Sequence, residues 1–347
     1  MQLQQLIENH WYYKVNWVLS IVLLPLSGIF FLISTFRKML YRSGVLKSYA
    51  LPVPVIIIGN ISVGGAGKTP LTKYLAQELT NSGVSVGIIL RGYKSQVKTT
   101  KIVVAADSSQ LVGDEALIYA QNNLRVAIGA NRYLAGLTLL AQYPDIRLIL
   151  ADDGLQHYRL KRDYEIAVID SDRMFGNHFV LPMGPLRETV NRLKSVNAIV
   201  VNGTMPSFIK NNFLSPQLTI GQTLILDKIY NPKTAIAITI AELITGNFAQ
   251  KSTTSIKNRI IAMAAIGNPQ RFFNFLTNSG IKLAQAISFP DHYSYAIGDL
   301  PQSEDIILVT EKDYTKLAAF NRENIWVVMV KPQLDNYALL DQIHKLL

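Results

Sequence analysis

Gly59-Asn-Ile-Ser-Val-Gly-Gly-Ala-Gly-Lys-Thr-Pro70 is the stretch whose reading decides the fold. Ahead of it, Val53-Pro-Val-Ile-Ile-Ile58 is a short apolar run rich in β-branched residues, the pattern of a buried parallel strand. Behind it, Leu71, Leu75 and Leu79 recur at helical spacing as far as Asn81-Ser-Gly83, which predicts an amphipathic helix. Strand, glycine-rich turn, Lys-Thr and helix is the order of a phosphate-cradling loop. Its glycines let successive backbone N–H groups turn onto a polyphosphate, and the helix N-terminus adds partial positive charge. Ser62, Val63, Gly64, Gly65, Ala66 and Gly67 would line that turn. Lys68 would reach the outer phosphates, and the Thr69 hydroxyl would ligate Mg²⁺. The first glycine of the usual G-x-x-x-x-G-K-[ST] pattern is replaced here by Ser62. A chance Gly-Lys-Thr in an ordinary βα turn is the bland alternative, and the flanking strand and helix weigh against it. The expectation is binding of a nucleoside triphosphate.

A chain of 347 residues with 49% apolar residues can fill two cores of ordinary size. The absence of cysteine excludes disulfides and thiolate metal sites. A net charge of +10 and a pI near 9.5 suit an anionic partner: nucleic acid, an acidic membrane leaflet or a phosphorylated substrate.

The N-terminal segment chooses among these. From Val15 to Phe36 there is no charged residue, and a helix of that length would span about 33 Å, close to the hydrocarbon thickness of a bilayer. Trp11, Tyr12, Tyr13 and Trp17 sit at one end and Tyr41 past the other, as interfacial aromatics do. Arg37, Lys38, Arg42 and Lys47 follow, which places the body of the protein in the cytoplasm by the positive-inside rule. A cleaved signal peptide fits poorly with the length of the run. An apolar hairpin in one leaflet, broken at Pro25 and Ser27-Gly28, is the competing arrangement.

Apolar runs and helical stretches alternate from Val55 to Asn202, with candidate strands at 55–58, 84–90, 101–105, 125–128, 147–151, 165–169 and 198–201. This predicts an α/β fold with a parallel sheet covered on both faces. Residues 206–258 look less regular, with Pro-Ser and Ser-Thr-Thr-Ser clusters, and are expected to be a junction. A second alternating set begins at Arg259. The expected division is therefore a membrane-associated segment 1–50, a P-loop domain 51–205, a junction 206–258 and a smaller Rossmann-like α/β domain 259–347. No internal repeat stands out.

Several residues could do chemistry. Arg147-Leu-Ile-Leu-Ala-Asp-Asp-Gly154 is a buried strand ending in two carboxylates, where a Walker-B aspartate would help hold Mg²⁺. Asp152 or Asp153 is a candidate metal ligand, against the bland reading of a polar turn. Gly113-Asp114-Glu115 opens a helix; Asp114 is either an N-cap or a general base for an attacking hydroxyl. Phe289-Pro-Asp-His-Tyr293 brings His292 on a proline turn, which could complete the site from across a cleft or be structural. Arg132 and Arg187 lie in turns and suit phosphate, or else brace the scaffold. His157, in Gln156-His157-Tyr158-Arg159, either orders its loop or touches the nucleotide.

Taken together these motifs resemble the tetraacyldisaccharide 4′-kinase family of lipid A biosynthesis. The resemblance is carried by residues 59–70, Arg91-Gly-Tyr93, Gly113-Asp-Glu115, Ala130-Asn-Arg132 and Asp152-Asp-Gly-Leu-Gln-His157. It continues through Leu181-Pro-Met-Gly-Pro-Leu-Arg-Glu188, Gly267-Asn-Pro269, Arg271-Phe-Phe273, Phe289-Pro-Asp-His292 and Thr310-Glu-Lys-Asp313. It implies transfer of the γ-phosphoryl group of ATP, with Mg²⁺, to the 4′-hydroxyl of an acylated glucosamine disaccharide 1-phosphate at the cytoplasmic face of the bacterial inner membrane. It implies two Rossmann-like domains that close over the nucleotide. By the same resemblance Asp114 would be the catalytic base with His292 as its partner, Lys68 and Thr69 would hold phosphate and Mg²⁺, and Glu115 or Asp153 would join the metal. Ser62 belongs to the family's own loop, whereas Leu155 and Tyr293 stand where Phe and a second His are frequent.

The rival from another class is a membrane-docked P-loop ATPase or nucleotide switch that moves a protein partner and needs neither Asp114 nor His292. A nucleic-acid-binding NTPase is disfavoured by the apolar N-terminus and the lack of a concentrated basic helix.

Overall fold

The computed structural model describes residues 2–213, 217–245, 259–301 and 305–347. Helices α1 (Gln2–Tyr12) and α2 (Trp17–Arg42) precede strand β1 (Val55–Gly59). Then come α3 (Lys68–Asn81), β2 (Val86–Leu90), β3 (Thr100–Val103), α4 (Ser109–Val112), α5 (Asp114–Gln121), β4 (Arg125–Gly129) and α6 (Arg132–Gln142). β5 (Leu148–Asp152), β6 (Tyr164–Asp170) and β7 (Ala198–Asn202) complete the first set. Beyond them lie α7 (Ser207–Phe213), β8 (Leu218–Asn231), β9 (Ile236–Ile238), α8 (Ile240–Thr245), β10 (Ile260–Ala264) and α9 (Pro269–Asn278). The chain ends with β11 (Gln285–Ser288), β12 (Ile306–Thr310), α10 (Glu311–Leu317), β13 (Ile325–Leu334) and α11 (Ala338–His344).

The described strands form one continuous sheet in the order β11-β10-β12-β13-β8-β7-β6-β1-β5-β2-β4-β3, with β9 beside β8. Pairing is parallel throughout except at β3–β4, β8–β13 and β8–β9. Every residue of β1, β2, β5, β6 and β7 is buried, because helices or loops cover both faces; this is why those strands read as unbroken apolar runs. One face packs on α3, α5 and α11 through Leu71, Leu75, Leu117 and Ile343. The other packs on α6, the loops around Leu155 and Leu186, and Phe30 of α2.

The segment expected to be an irregular junction is instead the seam of the sheet. Leu218–Gln222 at the start of β8 pairs parallel with β7, and Gln222–Tyr230 pairs antiparallel with β13. Polar residues such as Gln222, Asp227 and Lys228 hide this fourteen-residue strand from an apolarity reading. The Ser252-Thr-Thr-Ser255 cluster lies outside the described residues. Because β13 runs antiparallel to β8, the second set of parallel strands points its carboxyl ends back toward the carboxyl rim of the first. Two rims that open α/β sheets use for ligands thus face each other.

α2 is a single helix of 26 residues that continues through Pro25 and Ser27-Gly28, so the broken hairpin is not formed. Ser27 Oγ donates to the Val180 carbonyl (2.7 Å), which fastens the helix at its middle. Its apolar side chains otherwise face outward: Trp17, Val18 and Ile21 are each at least 74% exposed. Among the described residues α2 is the one helix long and apolar enough to cross a membrane.

Candidate active site

The turn between β1 and α3 is shaped by two residues in the left-handed region, Gly64 (φ 101°) and Gly67 (φ 88°). A Cβ at Gly67 would come within 2.2 Å of Asn202 Nδ2, which itself donates to the Ala66 carbonyl at 3.1 Å. Only glycine fits there. Ser62 needs no such freedom: it forms a β-bridge with Leu186, and Val63 N donates to the Pro185 carbonyl (2.8 Å). The loop's first half is thus zipped to residues 185–186, which explains the missing first glycine. Lys68 opens α3 with its Nζ 3.1 Å from Asn60 Oδ1 and 3.3 Å from Asp153 Oδ1.

The paired aspartates part company at the end of β5. Asp153, with φ 50°, turns out and accepts two hydrogen bonds from Arg187 Nη1 (2.9 and 3.0 Å) beside Lys68. Burial opposes its charge, but Lys68 and Arg187 outweigh it and hold the carboxyl well below the usual range. Asp152 stays buried and accepts from the Tyr119 hydroxyl at 2.6 Å. Burial pushes its carboxyl up to about 6 against the opposing charge of Lys68. Its Oδ1 has no partner. An unpartnered carboxylate oxygen near Lys68, with the Thr69 hydroxyl lining the same cleft, suits a hard cation that takes its remaining ligands from phosphate and water. Among the described residues no trio of acids or histidines converges as a complete metal site.

A second cluster faces the first from the later strands. Asp114 begins α5 and is buried; its Oδ2 lies 3.0 Å from His292 Nδ1 and 3.1 Å from Lys316 Nζ. Burial works against the charged form of Asp114, but His292, Lys316 and Lys312 together hold the carboxyl below its ordinary value. His292 adopts a left-handed backbone (φ 60°), donates its N–H to the Ala265 carbonyl and rests 5.2 Å from the ring of Tyr93. His292 lines the cleft, with Asp114 one layer behind it. Glu115, expected beside the metal, pairs with Lys312 (3.1 Å), and that same ammonium reaches Asp291 (3.2 Å).

Both clusters open on one cleft of about 1800 Å³. Gly267, after β10, packs so close to the phosphate-loop turn that a Cβ there would stand 3.0 Å from Gly65 N. Arg271 ties the two sides, bonding the Asn202 carbonyl (3.0 Å) and pairing with Asp170 (3.1 Å). Arg187 sits with Asp153, whereas Arg132 sits at the end of β4, three strands from β1 or about 14 Å across the sheet. It nevertheless lines the same cleft as the turn from Val63 to Thr69, where its charge couples to Asp153 and Asp152. Burial lowers Arg132 to about 10, and burial with Arg132, Arg162 and Arg37 lowers His157 to about 3. Phe30, Phe31, Arg37 and Lys38 of α2 form the adjoining wall, with Lys38 paired to Glu188 at 3.2 Å.

Sequence reasoning did not single out Tyr119, Asn202 or Lys316. Lys312 was visible only inside Thr310-Glu-Lys-Asp313, a polar run following an apolar strand.

A family model described as tetraacyldisaccharide-1-P 4′-kinase matches residues 19–347. A tetraacyldisaccharide 4′-kinase of Chromobacterium violaceum is 41% identical over 338 residues, covering 95% of this chain and 94% of the relative. One of Methylobacillus flagellatus is 40% identical over 339 residues, covering 97% and 94%. The crystal structure of LpxK from Aquifex aeolicus in complex with ATP superposes with a TM-score of 0.77 at 31% identity, covering 93% of this chain and 98% of that one.

Proposed function

Because the chain belongs to the tetraacyldisaccharide-1-P 4′-kinase family, and is thereby an ATP-dependent kinase acting at the 4′ position of a lipid A precursor, we propose how its residues divide that work. The nucleotide phosphates lie on the turn from Ser62 to Thr69, with the Lys68 ammonium toward the outer phosphate. Thr69 and Asp152 are the residues that would hold Mg²⁺, which when bound would supply charge neutralisation on the phosphate oxygens. Asp153 is engaged by Lys68 and Arg187 and orients them rather than binding the metal.

The 4′-hydroxyl of the acceptor approaches from the opposite wall, where the Asp114 carboxylate, supported by the His292 Nδ1–H, takes its proton. One observation carries this: the folding of β13 back along β8 brings His292 into the same cleft as Lys68, although 224 positions separate them in the chain. The acceptor's sugar and anionic groups lie toward Arg132 and α2, whose exposed apolar residues enter the cytoplasmic leaflet of the inner membrane. Holding the lipid and enzyme in one plane lowers the entropy cost of orienting the hydroxyl.

Incubating the protein with γ-labelled ATP, with and without acylated glucosamine disaccharide 1-phosphate, tests the assignment. Label should enter a lipid product. Label released only as inorganic phosphate at the same rate without lipid would support the nucleotide-switch alternative. Replacing Trp17, Val18 and Ile21 with serine should release the protein from anionic vesicles, and full retention would remove α2 from the membrane role.

A further inference from the structure

Two lysines of α10, Lys312 and Lys316, are four residues apart and lie on one face of the helix, bracketing the Asp114–His292 pair. An ammonium has three N–H donors and no acceptor. At 3.2 Å from Lys312 Nζ, His292 Nε2 is therefore the acceptor of that contact, and the ring's proton belongs on Nδ1, 3.0 Å from Asp114 Oδ2. We infer that Lys312 is a positioning residue for phosphoryl transfer, fixing His292 as the Nδ1–H tautomer and so aiming its N–H at the Asp114 carboxylate. The inference rests on the kinase reading above, which it deepens.

The alternative tautomer would set the Nδ1 lone pair against a carboxylate oxygen and leave Asp114 to the Lys316 ammonium alone. Lys312 prevents this with all three of its donors satisfied: His292 Nε2, Glu115 Oε1 (3.1 Å) and Asp291 Oδ1 (3.2 Å). Glu115 follows Asp114 and Asp291 precedes His292, so one ammonium joins the segment that carries the carboxylate to the segment that carries the imidazole. Its own position is imposed from both sides. Glu311 pairs with Lys73 of α3 at 2.7 Å, and Asp313 accepts from Ala265 N (2.9 Å) and the Tyr295 hydroxyl (2.8 Å). Burial works to discharge Lys312, but Glu115, Asp291 and Asp114 outweigh it and keep the donor charged. The groups facing the imidazole are Asp114 from α5, Lys312 from α10, Asp291 on its own turn (3.8 Å) and the Tyr93 ring, with Lys316 paired to Asp114 and Glu115 to Lys312 behind them.

The full chain in detergent micelles, labelled with ¹³C and ¹⁵N in histidine, tests this by imidazole NMR, with the His292 signal assigned by its loss in His292→Gln. The wild type should show the Nδ1–H pattern. Lys312→Met should populate Nε2–H and lower kcat by about 10-fold or more while leaving the KM for ATP within about 3-fold, and Lys312→Arg, a donor-only replacement, should restore both tautomer and most of kcat. An Nε2–H signal in the wild type overturns the inference without recourse to any Lys312 variant. So does a Lys312→Met protein that keeps Nδ1–H, or one whose KM for ATP rises while kcat holds, which would make Lys312 a nucleotide ligand. Failure of the wild type to phosphorylate the lipid would sink the kinase reading instead, and the tautomer measurement would still decide on Lys312.

Discussion

Asp152 and Asp114 are carboxylates of nearly equal burial, 3% and 6% exposed, beside one cleft, yet their charges are poised in opposite directions. Asp152 has a single hydroxyl donor, Tyr119, and burial carries its carboxyl up to about 6. Asp114 is buried too, but His292, Lys316 and Lys312 surround it and hold it below the ordinary value. Hydrogen bonds and neighbouring cations, set against the cost of burial, decide which acid keeps its charge. An acid left short of cations is ready for an incoming one; an acid already surrounded by them keeps its charge and stays available to accept a proton.

Lys68 touches this contrast at its source, since it opposes the rise of Asp152 and pairs with Asp153. Lys68→Ala should lower kcat/KM by about 10³-fold, the scale of a lost charge stabiliser at the transferred group, measured by steady-state kinetics. Turnover within a few-fold of wild type would remove it from the phosphate site. Asp114→Asn should lower kcat by about 10²-fold while ATP still raises the melting temperature, because it silences the acid but leaves the phosphate loop alone. Near-normal turnover would take the pair out of the chemistry.

The Asp152 side of the contrast is sharpened by pH. Its folded value of about 6 lies above the ordinary 3.8, so the folded chain binds that proton more tightly than the unfolded chain. The resulting stability is full below about pH 4 and is lost as pH rises through about 6. Without nucleotide or metal, Asp152→Asn should therefore melt above wild type at pH 8 and close to it at pH 4. An equal difference at both would mean that the carboxyl carries no strained charge. Tyr119→Phe should have the smallest effect, about 1–3 kcal/mol of stability in denaturant titration, from leaving Asp152 without its hydroxyl donor.

Legibility followed the range of the interactions. The turn between β1 and α3 could be read because Gly64 and Gly67 answer to their own φ angles and Lys68-Thr69 to the helix that follows. The strand before Asp152 could be read because burial on both faces leaves an unbroken apolar run. β8 could not, since one strand serves two partners and carries polar residues along its length.

The chain's own residues determined an α/β sheet, a glycine-rich turn ahead of Lys68-Thr69, two acids at a strand end and a long apolar helix, because each depends on neighbours a few positions away. Tertiary structure alone decided which groups meet. Asp114, His292 and Lys312 come from three separate segments, and they are joined only because β13 folds antiparallel onto β8 and turns the second rim of strands toward the first. Contacts across such distances depend on strand order and direction, which no local run of residues specifies.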